Sequence, residues 1–219
     1  MLFEAVVDNL RKLGAGALMG ARLSQFGSLA TLKAESDKID LTRSGRRFIL
    51  GNSAAITGIA PATALPTTAA SFALYNDDPV KTAYFETLGM YLTSGTPGAG
   101  GILIAAFFRL PVVAAPGTLY TGCKITNANP GSSKSSRMSV KASITISEPA
   151  APNWFEVANC ESPNVGAFPG SGNLVNRDVR GGLALPPGYG LGLVVVGLAG
   201  TSPLWAPFAE WVELETENE

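Results

Sequence analysis

Met138-Ser-Val140-Lys-Ala142-Ser-Ile144-Thr-Ile146-Ser147 decides the fold class. Every second residue is apolar and the residues between are polar or small, the period of a strand with one buried and one wet face. The same period runs outward in both directions. Strands are predicted at Ser28–Ala34, Phe48–Asn52, Ala55–Ala60, Ser71–Asn76, Ala83–Thr93, Gly101–Arg109, Leu119–Thr126, Leu183–Leu185, Leu191–Leu198 and Ala209–Leu214. These segments are rich in the β-branched and aromatic residues that suit a pleated, half-buried surface. Turn formers separate them: Asn76-Asp77-Asp78-Pro79, Ser94-Gly-Thr-Pro-Gly98, Asn129-Pro-Gly-Ser132 and Pro186-Pro-Gly188. Many short strands without interleaved helices predict a β-sandwich or barrel. The stretch Pro149–Gly182 reads as one long loop, and no internal repeat is visible.

Composition agrees. Apolar residues make up 46% of the 219, while charged residues are only 15%, against about a quarter in an average soluble domain. Disorder needs the opposite balance. So little charge predicts that part of the outer surface is covered by neighbouring molecules. The length suits a single β-domain, residues 27–219, preceded by an arm over residues 1–26. Within the arm, Leu2, Phe3, Val6, Val7, Leu10 and Leu13 repeat at three and four, the spacing of one helical face. A short helix of this kind needs a surface to lie on, which makes Leu2, Phe3, Val6 and Leu10 candidate subunit or particle contacts.

Net charge is −1, so no overall field points to nucleic acid. The distribution is uneven. Arg43, Arg46 and Arg47 cluster before a predicted strand, and Glu210, Glu213, Glu215, Glu217 and Glu219 close the chain. The arginines read either as an exposed strand edge, where charge deters unwanted pairing, or as contacts for an acidic neighbour or packaged nucleic acid. The acidic end reads as a solvated tail or as the partner of a basic arm on another subunit. No aromatic residues interleave the bases, so single-stranded nucleic acid is not an expected ligand.

Few residues of the sequence point to chemistry. There is no histidine, which removes the commonest general base and metal ligand. Cys123 and Cys160 without histidine cannot build a structural zinc site within one chain, and two buried free thiols are expected in place of a disulfide. Gly95-Thr-Pro-Gly-Ala-Gly-Gly101 lacks the Gly-Lys-Ser/Thr ending of a phosphate-binding loop, and Gly188-Tyr-Gly-Leu-Gly192 precedes a strand and not a helix. Asp77 and Asp78 read as turn residues more readily than as calcium ligands. No catalytic centre, cofactor or metal is expected. No signal peptide is expected, and no apolar run reaches the roughly 18 residues of a membrane helix. Trp154 and Phe155, with Phe168, Trp205, Phe208 and Trp211, concentrate aromatic side chains in the last third. Core or interface packing is their expected use, and Trp154 and Phe155 are candidate contact residues.

Two segments carry a resemblance. One is Arg22-Leu-Ser-Gln-Phe-Gly-Ser-Leu-Ala-Thr31, followed by Phe48-Ile-Leu50. The other is Leu185-Pro-Pro-Gly-Tyr-Gly-Leu-Gly-Leu-Val-Val-Val196, then Gly200-Thr201 and Glu210-Trp-Val-Glu213. A Pro-Gly turn, an apolar strand, a Gly/Thr loop and a last strand ending in acid resemble the closing hairpin of jelly-roll virion proteins of tailed bacteriophages. Tumour necrosis factor-like trimers end similarly. About a fifth of the chain is covered, and no functional residue is carried over. The resemblance implies a jelly-roll β-sandwich with a short N-terminal helical or extended arm. It implies a non-enzymatic virion protein assembled in a host cytoplasm: a capsid decoration or minor capsid subunit, homotrimeric and bound to other virion proteins such as the major capsid protein. A receptor- or glycan-binding tail-fibre module and a single-jelly-roll major capsid protein are the alternatives. Ile56, Phe72, Leu74, Phe85, Leu88, Ile104, Phe107, Ile125, Ile144, Leu193 and Val195 are the expected core.

Overall fold

The computed structural model describes residues 38–53, 57–96, 101–109, 113–115, 117–160, 174–197 and 200–215. The chain divides into two compact units, residues 1–44 and 45–219. In the first, residues 38–43 form a short helix. The helix expected at residues 1–13, with Leu2, Phe3, Val6 and Leu10, and the strand expected at Ser28–Ala34 lie outside the described residues.

The second unit is a jelly roll. Its strands are β1 (Arg47–Asn52), β2 (Ala69–Asn76), β3 (Lys81–Thr96), β4 (Gly101–Arg109), β5 (Val113–Ala115), β6 (Thr118–Leu119), β7 (Cys123–Asn127), β8 (Met138–Ile146), β9 (Phe155–Cys160), β10 (Leu174–Leu185), β11 (Tyr189–Gly197) and β12 (Thr201–Glu215). First pairs with last and the pairing proceeds inward: β1 with β12, β2 with β11, β3 with β10, β4 with β9. These pairs fall alternately in the two antiparallel sheets, ordered β10-β3-β12-β1-β7 (sheet A) and β5-β8-β2-β11-β4-β9 (sheet B). That is one long antiparallel hairpin rolled into a sandwich, the jelly-roll path. The tip of the hairpin, between β4 and β9, folds back and widens both sheets. There β7 pairs with β1, and β8 pairs with β2.

Between the sheets lie Phe48, Leu50, Phe72, Leu74, Phe85, Leu88, Leu191, Leu193 and Trp211, all almost fully buried. Trp211 stacks on Phe48 at 6.1 Å and meets Phe85 at 6.3 Å. Of the expected core residues, Phe72, Leu74, Phe85, Leu88, Ile104, Ile144, Leu193 and Val195 are buried. Phe107 and Ile125 are half-buried against the core, and Ile56 lies outside the described residues.

A second apolar cluster occupies the opposite, outer face of sheet B: Ala70, Ala73, Tyr75, Ile104, Ala106, Phe108, Ile144, Ile146 and Val194. A backbone irregularity in β8 supplies part of it. Ser143 has φ +54°, outside the strand conformation, while the register with β2 is the same on either side of it. Val140 and Ala142 therefore join the inter-sheet core, whereas Ile144 and Ile146, at the same sequence period, join the outer layer. The strict alternation of this strand predicted a wet second face. In the fold, its apolar residues serve both faces. Trp154 packs against the outer cluster and its indole Nε1 donates to the Thr67 carbonyl.

Several expected strands differ. In Ala55–Ala60 the described residues 57–60 form only an isolated bridge, Ile59 to Trp205, and Leu119–Thr126 is broken at Tyr120–Gly122 into β6 and β7. The loop expected over Pro149–Gly182 contains β9 and the first half of β10. The last strand begins at Thr201, not Ala209. Pro203 and Pro207 lie within it, although proline cannot donate to a ladder. Here β1 pairs with β12 only from Ala209 onward, so Pro207 sits where that flank of β12 has no strand hydrogen bond to lose.

Candidate functional site

Charged and polar side chains gather where β1 begins, β3 begins and β12 ends. Sequence period places them. Trp211 and Glu213 share the inward face of β12, so the alternation that buries the indole also carries a carboxylate into the end of the core. Glu213 is only 4% exposed. Its Oε1 accepts hydrogen bonds from Trp211 Nε1 at 3.1 Å and from Ser136 Oγ. Its Oε2 is buried and accepts no hydrogen bond. The nearest cation, Lys81 Nζ, stands 3.9 Å from Oε2, too far for a hydrogen bond.

Two loops built from short polar residues hold the surroundings. In the first, Asn76 Nδ2 donates to the carbonyls of Lys81 and Leu185, both at 2.8 Å, tying the β2–β3 turn to β10. Asp78 Oδ1 accepts from the amides of Val80 and Lys81 at 2.9 and 3.0 Å. Asp78 is thus a turn residue. Burial pushes its carboxyl up, but those two amides and the charges of Lys81 and Arg137 outweigh it and hold the group below its ordinary value. In the second loop, Asn127 Nδ2 bonds the carbonyls of Gly45 and Lys134. Asn127, Asn129, Ser132 and Ser136 each accept a main-chain amide within three residues. Such local bonds fix a loop without regular secondary structure. Gly45, with φ +68°, lies against Ser132 where a Cβ would collide with it. The loop delivers Lys134 and Ser136 to the site.

Together Gly45, Arg46, Phe48, Lys81, Lys134, Glu213 and Glu215 line a cleft of about 170 Å³. Arg46 and Arg47 are separated by the strand period. Arg46 lines the cleft. Arg47 pairs with Glu210 on β12 at 2.6 Å, both about a quarter exposed, an arrangement worth about 1 kcal/mol or less. The acidic end of the chain therefore meets the basic cluster within one molecule. Arg43 is exposed on the short helix of the other unit. Trp154 and Phe155 point to opposite faces of sheet B. Trp154 lies on the outer cluster, and Phe155 packs on the inter-sheet core, 5.5 Å from Phe107.

Two further recesses are larger and less polar. One, of about 260 Å³, lies between the edge strands β9 and β10 and is lined by Phe155, Val157, Arg177 and Leu183 among others. The other, of about 250 Å³, is lined by Phe107, Phe108, Arg109, Glu148, Pro149 and Tyr189. Cys123 is a free thiol. Burial pushes it up to about 11, against the opposing pull of a Tyr91 hydrogen bond. The side chain of Cys160 is outside the described residues. Among the described residues no group of three or more His, Cys, Asp or Glu is placed to hold a metal ion, and no helix is long and apolar enough to cross a membrane.

Comparison of the chain with protein-family models, with curated proteins and with solved structures gave no match.

The buried Glu213 was legible only in part. Sequence charge placed it in a solvated tail. The signal that locates it is its register with Ala209 and Trp211.

Proposed function

We propose that the chain is a non-enzymatic structural subunit of a virion, a capsid decoration or minor capsid protein acting by self-association and by binding a particle surface. The observation that carries this reading is how the jelly roll is filled. Large apolar side chains occupy the space between the sheets, and the recesses lined by described residues are about 170 to 260 Å³. A site that encloses a small-molecule substrate usually offers about 300–1,000 Å³. Contacts made by such a body fall to its outer surface and its strand edges. Strands β9 and β10 end the two sheets on the same flank with a recess between them, which suits a neighbour packed edge-on.

In this reading the copies form homotrimers, assembled in a host cytoplasm, which bind other virion proteins such as the major capsid protein. Residues 1–26 anchor the subunit. Light scattering at micromolar concentration should return the mass of three chains. Mass spectrometry of purified particles should find the chain at a fixed copy number, and deletion of residues 1–26 should release it. A stable monomer that is absent from particles would end the proposal.

A further inference from the structure

We propose that the cleft at Glu213 is a binding site for a sugar acid, a small carboxylate that also carries hydroxyl groups. The inference is independent of the assembly proposed above. It starts from an imbalance in one side chain. Glu213 is only 4% exposed, yet one of its two oxygens accepts no hydrogen bond. A buried carboxylate oxygen without a donor is costly. The polypeptide supplies two donors to Oε1, from Trp211 and Ser136, and none to Oε2. An O–H or N–H donor reaching through the cleft would complete the set.

The cleft walls say what else the ligand carries. Arg46, Lys81 and Lys134 line it together with Glu213 and Glu215. Among the described residues, neither Arg46 nor Lys134 has an ion-pair partner, and both are exposed. Lys81 is already shared between Asp78, at 3.7 Å, and Glu213, at 3.9 Å. Three cations, two of them uncommitted, face the two carboxylates Glu213 and Glu215, and this excess disfavours a plain cation, which Arg46 and Lys134 would repel. The carboxylates in turn disfavour a plain anion, which Glu213 would repel. A molecule with a hydroxyl donor at one end and a carboxylate at the other satisfies both. The cleft, of about 170 Å³, holds the volume of roughly six liquid waters, enough for a ring hydroxyl at Glu213 and the neighbouring carboxylate, with the remainder of the molecule outside. The Asn- and Ser-braced loop that carries Lys134 and Ser136 fixes one wall in advance, which lowers the ordering cost of binding.

The test is titration of the full chain with glucuronate, glucose, acetate and inorganic phosphate. Affinity is read by calorimetry, and location by the indole N–H resonance of Trp211, which sits on the Glu213 carboxylate. Glucuronate should bind saturably and shift that resonance. Glucose, which lacks the charge, and acetate, which lacks the hydroxyl, should each bind at least about tenfold more weakly, and so should phosphate, a compact ion whose P–OH and charge share one centre. Arg46→Ala and Lys134→Ala are surface changes that leave the fold intact, and each should weaken glucuronate about tenfold. Glu213→Gln should bring glucuronate down to the level of acetate. If that buried variant fails to fold, the two surface variants and the four-ligand comparison still decide. An oligosaccharide ending in glucuronate separates a glycan terminus, which binds tighter than the free acid, from a free metabolite, which does not. Equal binding of acetate or phosphate, an unmoved Trp211 resonance, or no effect of Arg46→Ala and Lys134→Ala would overturn the assignment.

Discussion

Gly190→Ala tests whether the outer apolar layer of sheet B is a packed part of the fold. Gly190 lies in β11 and is buried, with an ordinary strand backbone. An added Cβ would land on the ring of Phe108. That ring is 1% exposed and meets Tyr75 edge-on at 5.4 Å, so moving it aside breaks packing in the outer layer. Forcing a methyl group into such a contact costs about 1–3 kcal/mol. Without the contact the same change would stabilise, by about 0.4–1 kcal/mol, because alanine has less chain entropy to lose than glycine. The sign of the effect therefore separates a packed layer from a loose one. At about 2–4 °C per kcal/mol for a chain of this size, a 2 kcal/mol loss lowers Tm by about 4–8 °C. Urea unfolding followed by tryptophan fluorescence measures the free energy directly. Phe108→Leu should remove the clash at a cost of about 1–2 kcal/mol of its own, and in that background Gly190→Ala should cost less than about 1 kcal/mol. Gly188→Ala is the control: its Cβ meets nothing, and only its φ of +76° resists, at about 1–2 kcal/mol. A Gly190→Ala protein as stable as the parent, or one whose loss persists unchanged in the Phe108→Leu background, would refute the packing argument.

Three further outcomes are expected. Ser136→Ala removes one of two donors to the buried Glu213 carboxylate, so urea unfolding should show a loss of about 1–3 kcal/mol. Asp78 is held below the ordinary carboxylate value, so its ionised form favours the folded state. That contribution is complete above the unfolded value of about 3.9 and is lost as pH falls through the lower folded value. Acid titration of stability should be flatter below about pH 4 in Asp78→Asn than in the parent. Cys123, pushed up to about 11 by burial, should react with iodoacetamide at pH 8 at least about a hundredfold more slowly than an unperturbed thiol. The measurement belongs in a Cys160→Ser background, and fast labelling of the native protein would contradict the buried setting.

The fold class was legible because period two survives in single segments: the alternation at Met138–Ile146 and the apolar run at Leu191–Val196 mark strands whatever surrounds them. The switch of faces at Ser143 was not legible. A left-handed serine leaves no trace in an apolar-polar pattern, and Ile144 continues the alternation of Ala142 without a break. Residues Phe155–Cys160 read as loop in sequence because Pro, Asn and Gly recur throughout Pro149–Gly182. Pairing with β4, remote in sequence, makes the strand. The pairing of first strand with last, on which the jelly roll depends, is likewise a long-range relation that no local window contains. At the site, the arginine cluster and the acidic end were visible as charges. That Arg47 meets Glu210, and that Glu213 turns inward while Glu210 turns outward, follows from a register set by Trp211 in the core.

The low charge of the chain admits two physical explanations, and the fold divides it between them. Counted as surface, a chain of 15% charged residues leaves apolar area that only neighbours can cover. The jelly roll, however, buries apolar residues on two faces of sheet B. Phe72, Leu74 and Leu193 go to the inter-sheet core, while Tyr75, Phe108, Ile144 and Val194 form the outer layer. A sheet apolar on both faces reads in sequence as continuous hydrophobicity, as in parallel sheets covered on both sides. Part of the apolar excess is thus consumed inside one molecule. Among the described residues of the jelly roll, what remains for neighbours is more local: Leu65, Val80, Leu119 and Tyr189 are large apolar residues still in water, and the edges β9 and β10 flank an apolar recess. Self-association should accordingly depend on those edges and exposed positions. Replacing Leu119 or Tyr189 with a charged residue tests the division, because it leaves both buried layers untouched and should lower the assembled mass without lowering the stability of the subunit.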